Sequence, residues 1–182
     1  MPKVVWFWYF SEKISMSAVQ TVVLNEKQIR QKIDRLAFQI HENHYSEQEI
    51  IMAGIADSGF RLAELLNERL RQISDQMVTL VPLYVNKKNP FENEPTVDLT
   101  REDVENKVVI LVDDVLNSGK TLIYGIKYFL KVPMKALRTV ALIDRDHKRF
   151  PVKADYVGLL LSTTLLEHVR VELEDEMAVY LE

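Results

Sequence analysis

The chain has 182 residues, of which 47% are hydrophobic and 27% are charged, a balance typical of one globular domain with a sizeable core. It contains no cysteine, which excludes a disulfide framework and a thiolate metal site and favours a reducing, cytoplasmic compartment. The formal net charge of -4 argues against a generally basic protein that coats nucleic acid, while a local basic patch stays compatible with it.

The chain opens with an apolar run at residues 4–10 (VVWFWYF), which polar residues follow at once. A membrane span needs about 20 apolar residues, and a secretory signal needs a small-residue cleavage site, so the run fits neither and we expect no membrane association. We predict that residues 1–18 are an extension outside the domain, with Met16 as a candidate natural start, and that residues 19–182 form the domain. The alternative hypothesis is an aromatic patch that docks on a partner.

The next segments alternate between strand and helix patterns. Residues 21–24 form a short apolar strand, and Asn25 is a good N-cap for the helix after it. Residues 49–55 are predicted to be a buried strand. Two amphipathic helices are marked by apolar residues at helical spacing, Ile29, Ile33, Leu36 and Ile40 in the first and Leu62, Leu65, Leu66, Leu70 and Ile73 in the second.

The second half continues this alternation with apolar strands at 77–84, 107–112 and 137–143 and a helix at 121–130. Buried strands alternating with helices predict an α/β fold in which helices cover both faces of a central parallel sheet. Residues 86–95 have turn chemistry and no period, as expected of a functional lid or a disordered segment. Three strands at the end, 156–161, 168–173 and 177–181, have no helices between them and are predicted to form a small β hood.

The segment Ser118-Gly119-Lys120-Thr121 ends like a P-loop, G-x-x-x-x-G-K-[ST], whose amides hold nucleotide phosphates. A P-loop needs glycine at the position of Asp114, where a carboxylate would repel the anion, so this interpretation fails. The polar turn from Asn117 to Thr121 still lies between a strand and a helix. Because amides and the dipole at a helix N-terminus bind anions, the turn predicts a phosphate site at the carboxyl edge of the sheet.

Two adjacent carboxylates, Asp113 and Asp114, precede this turn. An ionised carboxylate accepts hydrogen bonds from hydroxyls and can lie near a cation. A ligand with a diol and a phosphate satisfies both features, so the residues point to a sugar phosphate.

A strand, an Asp-Asp pair, two apolar residues and then x-[ST]-G-[KR]-T resemble the phosphoribosyl pyrophosphate (PRPP) signature of type I phosphoribosyltransferases. The resemblance covers residue 19 to the C-terminus. It is strongest to the PyrR type, which regulates pyrimidine operons and is also a uracil phosphoribosyltransferase. The matching segments are 24–30, 53–55 with Gly59, 62–66, 108–116, 141–145 with His147, and 154–158.

The resemblance implies the family fold, a parallel sheet flanked by helices with a small hood. It also implies that Asp113 and Asp114 bind the ribose hydroxyls of PRPP at the catalytic centre, with Mg²⁺ as cofactor. A nucleobase, uracil above others, would displace pyrophosphate from the anomeric carbon, with electrostatic stabilisation of the leaving charge. The 5′-phosphate would be bound by Asn117, Ser118, Gly119, Lys120 and Thr121.

The pyrophosphate turn departs from the family. PyrR-type relatives usually have Lys-Thr-Arg-Gly, whereas this chain has Ala56, Asp57, Ser58 and Gly59, so two cations are absent and an acid is present. A nearby anion lowers pyrophosphate affinity by a factor that depends strongly on the local dielectric. Two hypotheses stay open: weakened activity, or a role for Asp57 beside Asp113 and Asp114 as a ligand near Mg²⁺.

The flexible lid departs as well. The family's Tyr-Arg-Asp-Asp becomes Tyr84-Val85-Asn86-Lys87, which removes the arginine expected to close over pyrophosphate. Lys87 and Lys88 are candidate substitutes as point charges without a bidentate fork. The alternative for both lysines is a solvated loop.

The base-recognition hood implied by the resemblance is only partly retained. Residues 159–164 are more apolar than the family pattern, and Asp146 is an additional acid. Purine enzymes commonly have an aspartate at the position of Asn117, so its absence disfavours a purine. The hood candidates are Asp144, Arg145, His147, Asp155, Tyr156 and Val157.

Two histidines, His41 and His44, lie three residues apart at a helix end and could pair on a metal. No third ligand is nearby in the sequence, so solvated histidines are the favoured interpretation.

A regulator, a PRPP or nucleotide sensor without turnover, and an RNA-binding attenuator are the alternative functions. Phosphate contacts supply most RNA affinity and need cations, yet Arg35 is the only cation at the positions of the first helix, 34–38 and 43, where the resemblance implies RNA contacts, so RNA is disfavoured. The resemblance also implies a homo-oligomer, either a dimer or a tetramer.

Overall fold

The computed structural model describes residues 20–86, 93–164 and 166–182. The predicted extension at 1–18 and the lid lysines Lys87 and Lys88 lie outside these ranges. The strands are β1 (Thr21–Asn25), β2 (Glu49–Ile55), β3 (Met77–Leu83), β4 (Val108–Leu116), β5 (Ala136–Arg145), β6 (Tyr156–Leu161), β7 (Val169–Glu172) and β8 (Ala178–Leu181). The helices are α1 (Glu26–His44), α2 (Ser58–Ile73), α3 (Arg101–Val104) and α4 (Lys120–Phe129).

Five strands form the main sheet in the order β3-β2-β4-β5-β6, and every neighbouring pair is parallel. The three central strands are buried along most of their length, as their continuous apolar runs predict. Because the strands are parallel, their carboxyl ends meet along one edge. The α/β prediction is confirmed.

Helices cover both faces of this sheet. On one face, α1 and α2 pack in a core with Ile50, Met52 and Ile110. On the other, α3 and α4 pack in a second core that contains Ile51 and Leu111. The alternation along β2 and β4 reflects the two-residue period of a strand, which sends successive side chains to opposite faces.

Asn25 caps α1 as predicted. Its side-chain oxygen accepts from the backbone amide of Gln28 at 3.0 Å, and the Gln28 side chain accepts from the Asn25 amide at 3.0 Å. This reciprocal capping box satisfies two amide donors at the helix start and fixes where α1 leaves β1.

The predicted hood is wrong in its membership. A small antiparallel sheet is present, but its order is β1-β8-β7, and β6 instead extends the main sheet as a parallel neighbour of β5. The first residue of β6, Tyr156, pairs with Val140, and the last residue of β6, Leu161, pairs with Arg145. The crossover from β5 to β6 contains no helix, so the sequence lacked the signal that marks a parallel connection.

One element boundary differs from the prediction, and one helix is additional to it. β4 continues to Leu116, so both Asp113 and Asp114 belong to the strand. α3 was not predicted, although Thr100 and Asp103 form a capping box at its start. Among the described residues, no helix is both long enough and apolar enough to cross a lipid bilayer.

Candidate functional site

The carboxylate pair lies in the last part of β4, the middle strand of the main sheet. Asp113 is only 6% exposed, its backbone pairs with Ala141 of β5, and its Oδ1 accepts from the backbone amide of Asp114 at 3.1 Å. Asp114 is half-buried. The strand therefore holds two carboxylates at the edge formed by the carboxyl ends of the strands, and a backbone hydrogen bond fixes one of them.

A tight turn follows β4 and leads into α4. Gly119 occupies the N-cap position with φ of 79°, a left-handed conformation that glycine adopts without strain. Ser118 Oγ accepts from the Lys120 amide at 3.3 Å. The turn and Asp113 share one concave surface, which encloses a cavity of about 140 Å³. Its lining is Asp113, Val115, Leu116, Asn117, Ser118, Gly119, Lys120, Thr121 and Leu122.

This surface has the chemistry of a phosphate cradle. Gly119 has no side chain to cap α4, a helix of ten residues, so the first-turn amides receive no capping oxygen from the N-cap residue, and the Lys120 amide instead donates to Ser118 Oγ. The aligned peptide dipoles add a partial positive charge at this end. Carboxylates on one side and amide donors on the other suit a ligand with hydroxyls and a phosphate.

The segment after β5 holds the cradle from outside. The amides of Arg149 and Phe150 donate to the Ser118 carbonyl at 2.9 and 3.1 Å. A Cβ added to Gly119 would come within 2.4 Å of Val152 Cγ1. The turn is therefore packed tightly as well as bent, and position 119 has no room for a side chain.

The predicted pyrophosphate turn lies beside the carboxylates. A Cβ on Gly59 would meet the Val112 carbonyl at 3.0 Å and Asp113 Cα at 3.1 Å, so the start of α2 presses against the end of β4. The Ala56 amide donates to the Leu83 carbonyl at 2.9 Å. The structure thus brings residues 56–59 to the same edge as Asp113.

A second and larger cavity, of about 750 Å³, opens on the β2 and β3 side of the edge. Tyr84 and Thr96 exchange backbone hydrogen bonds of 2.9 and 3.0 Å and close the base of the lid segment. Lys131 lies 2.6 Å from Glu94, and this hydrogen bond lowers the pKa of the glutamate, which stays ionised. The described lining is Ala56, Asp57, Tyr84, Val85, Asn86, Asn93, Glu94 and Thr96, and it includes no lysine or arginine.

On the opposite side of β4, the end of β5 is tied to the loop after β6. The Arg145 side chain is 3% exposed, and its guanidinium donates to Thr163 Oγ1 at 2.7 and 3.1 Å and to the Glu167 carbonyl at 2.8 Å. His147 Nε2 lies 2.7 Å from the Thr163 carbonyl. Arg145 and His147 therefore hold Thr163 and Glu167 at the edge, and their polar atoms bond to these loop residues.

Asp144 is the most deeply buried acid of the edge, with 1% exposure. Lys148 Nζ lies 2.7 Å from its Oδ1, but neither carboxylate oxygen makes an aligned hydrogen bond with a described residue. The pair is therefore an ion pair, and it anchors the segment that also packs against Gly119.

Three hood candidates do not reach the edge. Asp155 accepts from the amide and the hydroxyl of Thr139, both at 2.9 Å, near the amino end of β5. Tyr156 is buried, and its hydroxyl lies 3.1 Å from His44 Nε2. Val157 packs in the core on the α4 face. These residues support the amino end and the core, a difference that follows from placing β6 in the main sheet.

The prediction that His44 is solvated is wrong, because the structure buries this residue. Desolvation, with a smaller effect of Arg138, lowers its pKa, so the imidazole is neutral where it meets the Tyr156 hydroxyl.

No group of three or more acidic, histidine or cysteine side chains positioned for a metal occurs among the described residues. The residues that sequence reasoning missed are Thr163 and its neighbours, whose only signal was a polar run directly after an apolar strand.

Comparisons with known proteins show the family of this chain. The model of the phosphoribosyl transferase domain family matches residues 19–176. The chain is 34% identical to the bifunctional protein PyrR of Alkaliphilus metalliredigens, over 85% of this chain and 88% of that protein. It is 33% identical to the bifunctional protein PyrR of Bacillus subtilis, over 86% of this chain and 91% of that protein.

Solved structures of hypoxanthine phosphoribosyltransferases have a similar fold. The Trypanosoma cruzi protein superposes with a TM-score of 0.72 at 19% identity and covers 87% of this chain and 89% of its own. A hypoxanthine-guanine phosphoribosyltransferase of Bacillus anthracis superposes with a TM-score of 0.66 at 25% identity, over 78% of this chain and 83% of its own.

Proposed function

Since the chain belongs to the phosphoribosyl transferase domain family, we propose that it binds PRPP at the β4 edge and transfers the phosphoribosyl group to a nucleobase, with uracil as the leading candidate. The observation that carries the proposal is one continuous surface that joins Asp113 to the amide-lined turn at residues 117–121. A carboxylate and a phosphate cradle held by one strand and the next helix match the two ends of a ribose 5-phosphate.

The roles of the residues follow from their chemistry. Asp113 and Asp114 accept hydrogen bonds from the 2′- and 3′-hydroxyls, because ionised carboxylates are acceptors only. The amides of residues 118–121 and the start of α4 bind the 5′-phosphate. With both ends held, the anomeric carbon is fixed above the β4 edge, and fixing a reacting atom removes much of the entropic cost of the transfer.

In the proposed reaction a ring nitrogen of the base forms a bond to the anomeric carbon while the bond from that carbon to pyrophosphate breaks. The base releases its proton to solvent. Charge grows on the departing pyrophosphate, and Mg²⁺ bound with PRPP would offset it. Asp113 and Asp114 fit this cofactor, since proteins hold Mg²⁺ by one or two carboxylates completed by substrate phosphates.

The proposal is tested by incubating the full chain with PRPP, Mg²⁺ and each nucleobase in turn. We expect release of pyrophosphate and formation of a nucleoside monophosphate, with uracil as the preferred base. A purine as the preferred base would replace uracil and leave the transfer reaction standing. Binding of PRPP with no product from any base would contradict an enzyme.

The second candidate is a regulator that senses PRPP or a nucleotide and turns it over slowly or not at all. Its support is the second cavity, whose described lining contains Asp57 and Glu94 and no cation to receive pyrophosphate. Several relatives are also bifunctional PyrR proteins. An RNA-binding attenuator has less support, because Arg35 Nη2 donates to the carbonyls of Val157 and Gly158, both at 2.7 Å.

A homo-oligomer remains part of the proposal, and sedimentation of the purified chain tests it. A dimer or a tetramer agrees with the proposal, and a monomer at micromolar concentration contradicts it.

A further inference from the structure

Asp57 is an exposed acid at the start of α2. It occupies the N-cap position, yet its side chain does not cap the helix. Its carboxylate makes no hydrogen bond or ion pair with any residue that the structure describes. Helix N-termini favour anionic ligands, and here a fixed negative charge occupies that place.

Among the residues that the structure describes, none neutralises Asp57. Asp57 and Glu94 both line the 750 Å³ cavity; Lys131 lies 2.6 Å from Glu94 and Lys127 also attracts that carboxylate, whereas no described lysine or arginine forms an ion pair with Asp57. The described part of the cavity lining thus presents a net negative charge to any ligand that enters it. Gly59, two residues after Asp57, touches the backbone of Asp113, so this charge lies next to the proposed ribose site.

The sheet order decides which ligands meet this charge. β4 lies between β2 on one side and β5 on the other, so a ribose bound on β4 can extend a substituent either way. On the β5 side, Arg145 bonds to the loop that contains Thr163 and Glu167, whereas on the β2 side a cavity of about 750 Å³ opens and Asp57 lines it. A bulky anionic substituent on the anomeric carbon fits the β2 side and meets Asp57, while a neutral base on the β5 side does not.

We propose that Asp57 makes this site bind nucleoside 5′-monophosphates more tightly than PRPP. The inference rests on the proposed function, because it assumes that ribose and the 5′-phosphate bind at β4 and α4. Both ligands share those two groups, so they differ mainly in what the anomeric carbon carries. Each charge of pyrophosphate 4 Å from the carboxylate weakens binding about five-fold in water, and more where water is excluded.

The test compares three ligands by calorimetry, with Mg²⁺ present: PRPP, ribose 5-phosphate, and UMP or GMP. The proteins are the full wild-type chain, Asp57→Asn, and Asp75→Asn as a control. Asp75 is an exposed acid beyond the far end of α2, about 24 Å from its start, and its substitution changes the net charge equally. Thermal unfolding checks that the variants are folded.

We expect the wild-type chain to bind a nucleoside monophosphate at least about five-fold more tightly than PRPP. Asp57→Asn should tighten PRPP binding by a similar factor and leave ribose 5-phosphate unchanged, and Asp75→Asn should change neither. The preference should also shrink as salt is raised, since salt screens exposed charges.

Two results would overturn the inference alone. The first is equal or tighter binding of PRPP by the wild-type chain. The second is weaker binding of PRPP by Asp57→Asn, because the carboxylate would then hold a cation that PRPP needs. Failure of all proteins to bind ribose 5-phosphate would overturn the proposed function together with this inference.

Discussion

At the scale of single residues, the site depends on two acids that differ in burial and in how firmly the backbone holds them. The Asp113 side chain is buried and accepts a hydrogen bond from the backbone, whereas the Asp114 side chain is half-buried and more accessible to a ligand. The sequence predicted this pair and the turn after it, because the spacing from strand to turn is local. It could not predict which of the two acids the fold buries, since that depends on β5 and α2 packing around β4.

Asp114→Asn should weaken binding of ribose 5-phosphate or PRPP by about 10- to 100-fold, because a hydrogen bond to a charged group contributes about 1.5–3 kcal/mol. Calorimetry measures the change. Asp175→Asn is the matched control, an exposed acid between β7 and β8. Equal affinities for Asp114→Asn and the wild-type chain would remove Asp114 from the ribose site.

Gly119→Ala should lower the free energy of unfolding by about 1–3 kcal/mol, since alanine is strained at positive φ. The new Cβ would also meet Val152 Cγ1 at 2.4 Å. Urea unfolding measures the change. Adding Val152→Ala should recover part of the loss, so the two substitutions couple in a double-mutant cycle. Strict additivity would show that Val152 does not restrain the turn.

At the scale of elements, the ends of strands decide what reaches the site. The sequence predicted β2 within its observed bounds, because apolar runs mark buried strands well. It ended β4 at residue 112, where the apolar run ends, whereas pairing with β5 continues to Leu116. It also missed that Arg145 serves a loop, because a single arginine in sequence does not reveal its acceptors.

Arg145→Lys should loosen the loop that contains Thr163 and Glu167, because lysine keeps the charge but lacks the fork that reaches both residues. Hydrogen exchange of that loop should quicken by about ten-fold or more, as expected from losing one or two hydrogen bonds. Arg30→Lys, on the exposed face of α1, is the control. Unchanged exchange in the loop would show that Arg145 does not hold it.

His44 links the end of α1 to β6 and gives the fold a pH dependence. Burial lowers its pKa in the folded chain below the unfolded value near 6.5, so the unfolded chain binds the proton first. Stability from this residue is therefore complete above about pH 6.5 and is lost as pH falls below it.

The wild-type chain should lose more unfolding free energy between pH 7.5 and 5.5 than His44→Gln, which can still bond the Tyr156 hydroxyl but does not titrate. Urea unfolding at several pH values measures the difference. Equal losses in the two proteins would mean that His44 is not buried in its neutral form.

At the scale of the whole molecule, sheet order brings distant segments together. The turn at residues 56–59, the acids of β4 and the loop that contains Thr163 lie along one edge because β2, β4, β5 and β6 are adjacent and parallel. Alternation of patterns was enough to predict the parallel sheet. It was not enough to predict that β1, at the start of the domain, pairs with β8 at its end, since pairing between segments distant in sequence produces no local sequence pattern.

The central claim is that ribose and its phosphate bind at the carboxyl edge of β4. Amide NMR of the labelled full chain, titrated with PRPP and Mg²⁺, tests it most directly. The largest saturable shifts should fall on Asp113, Asp114 and residues 117–121, and ribose 5-phosphate should shift the same amides. Shifts centred on the amino ends of the strands, around His44 and Tyr156, or no saturable shifts at all, would contradict it.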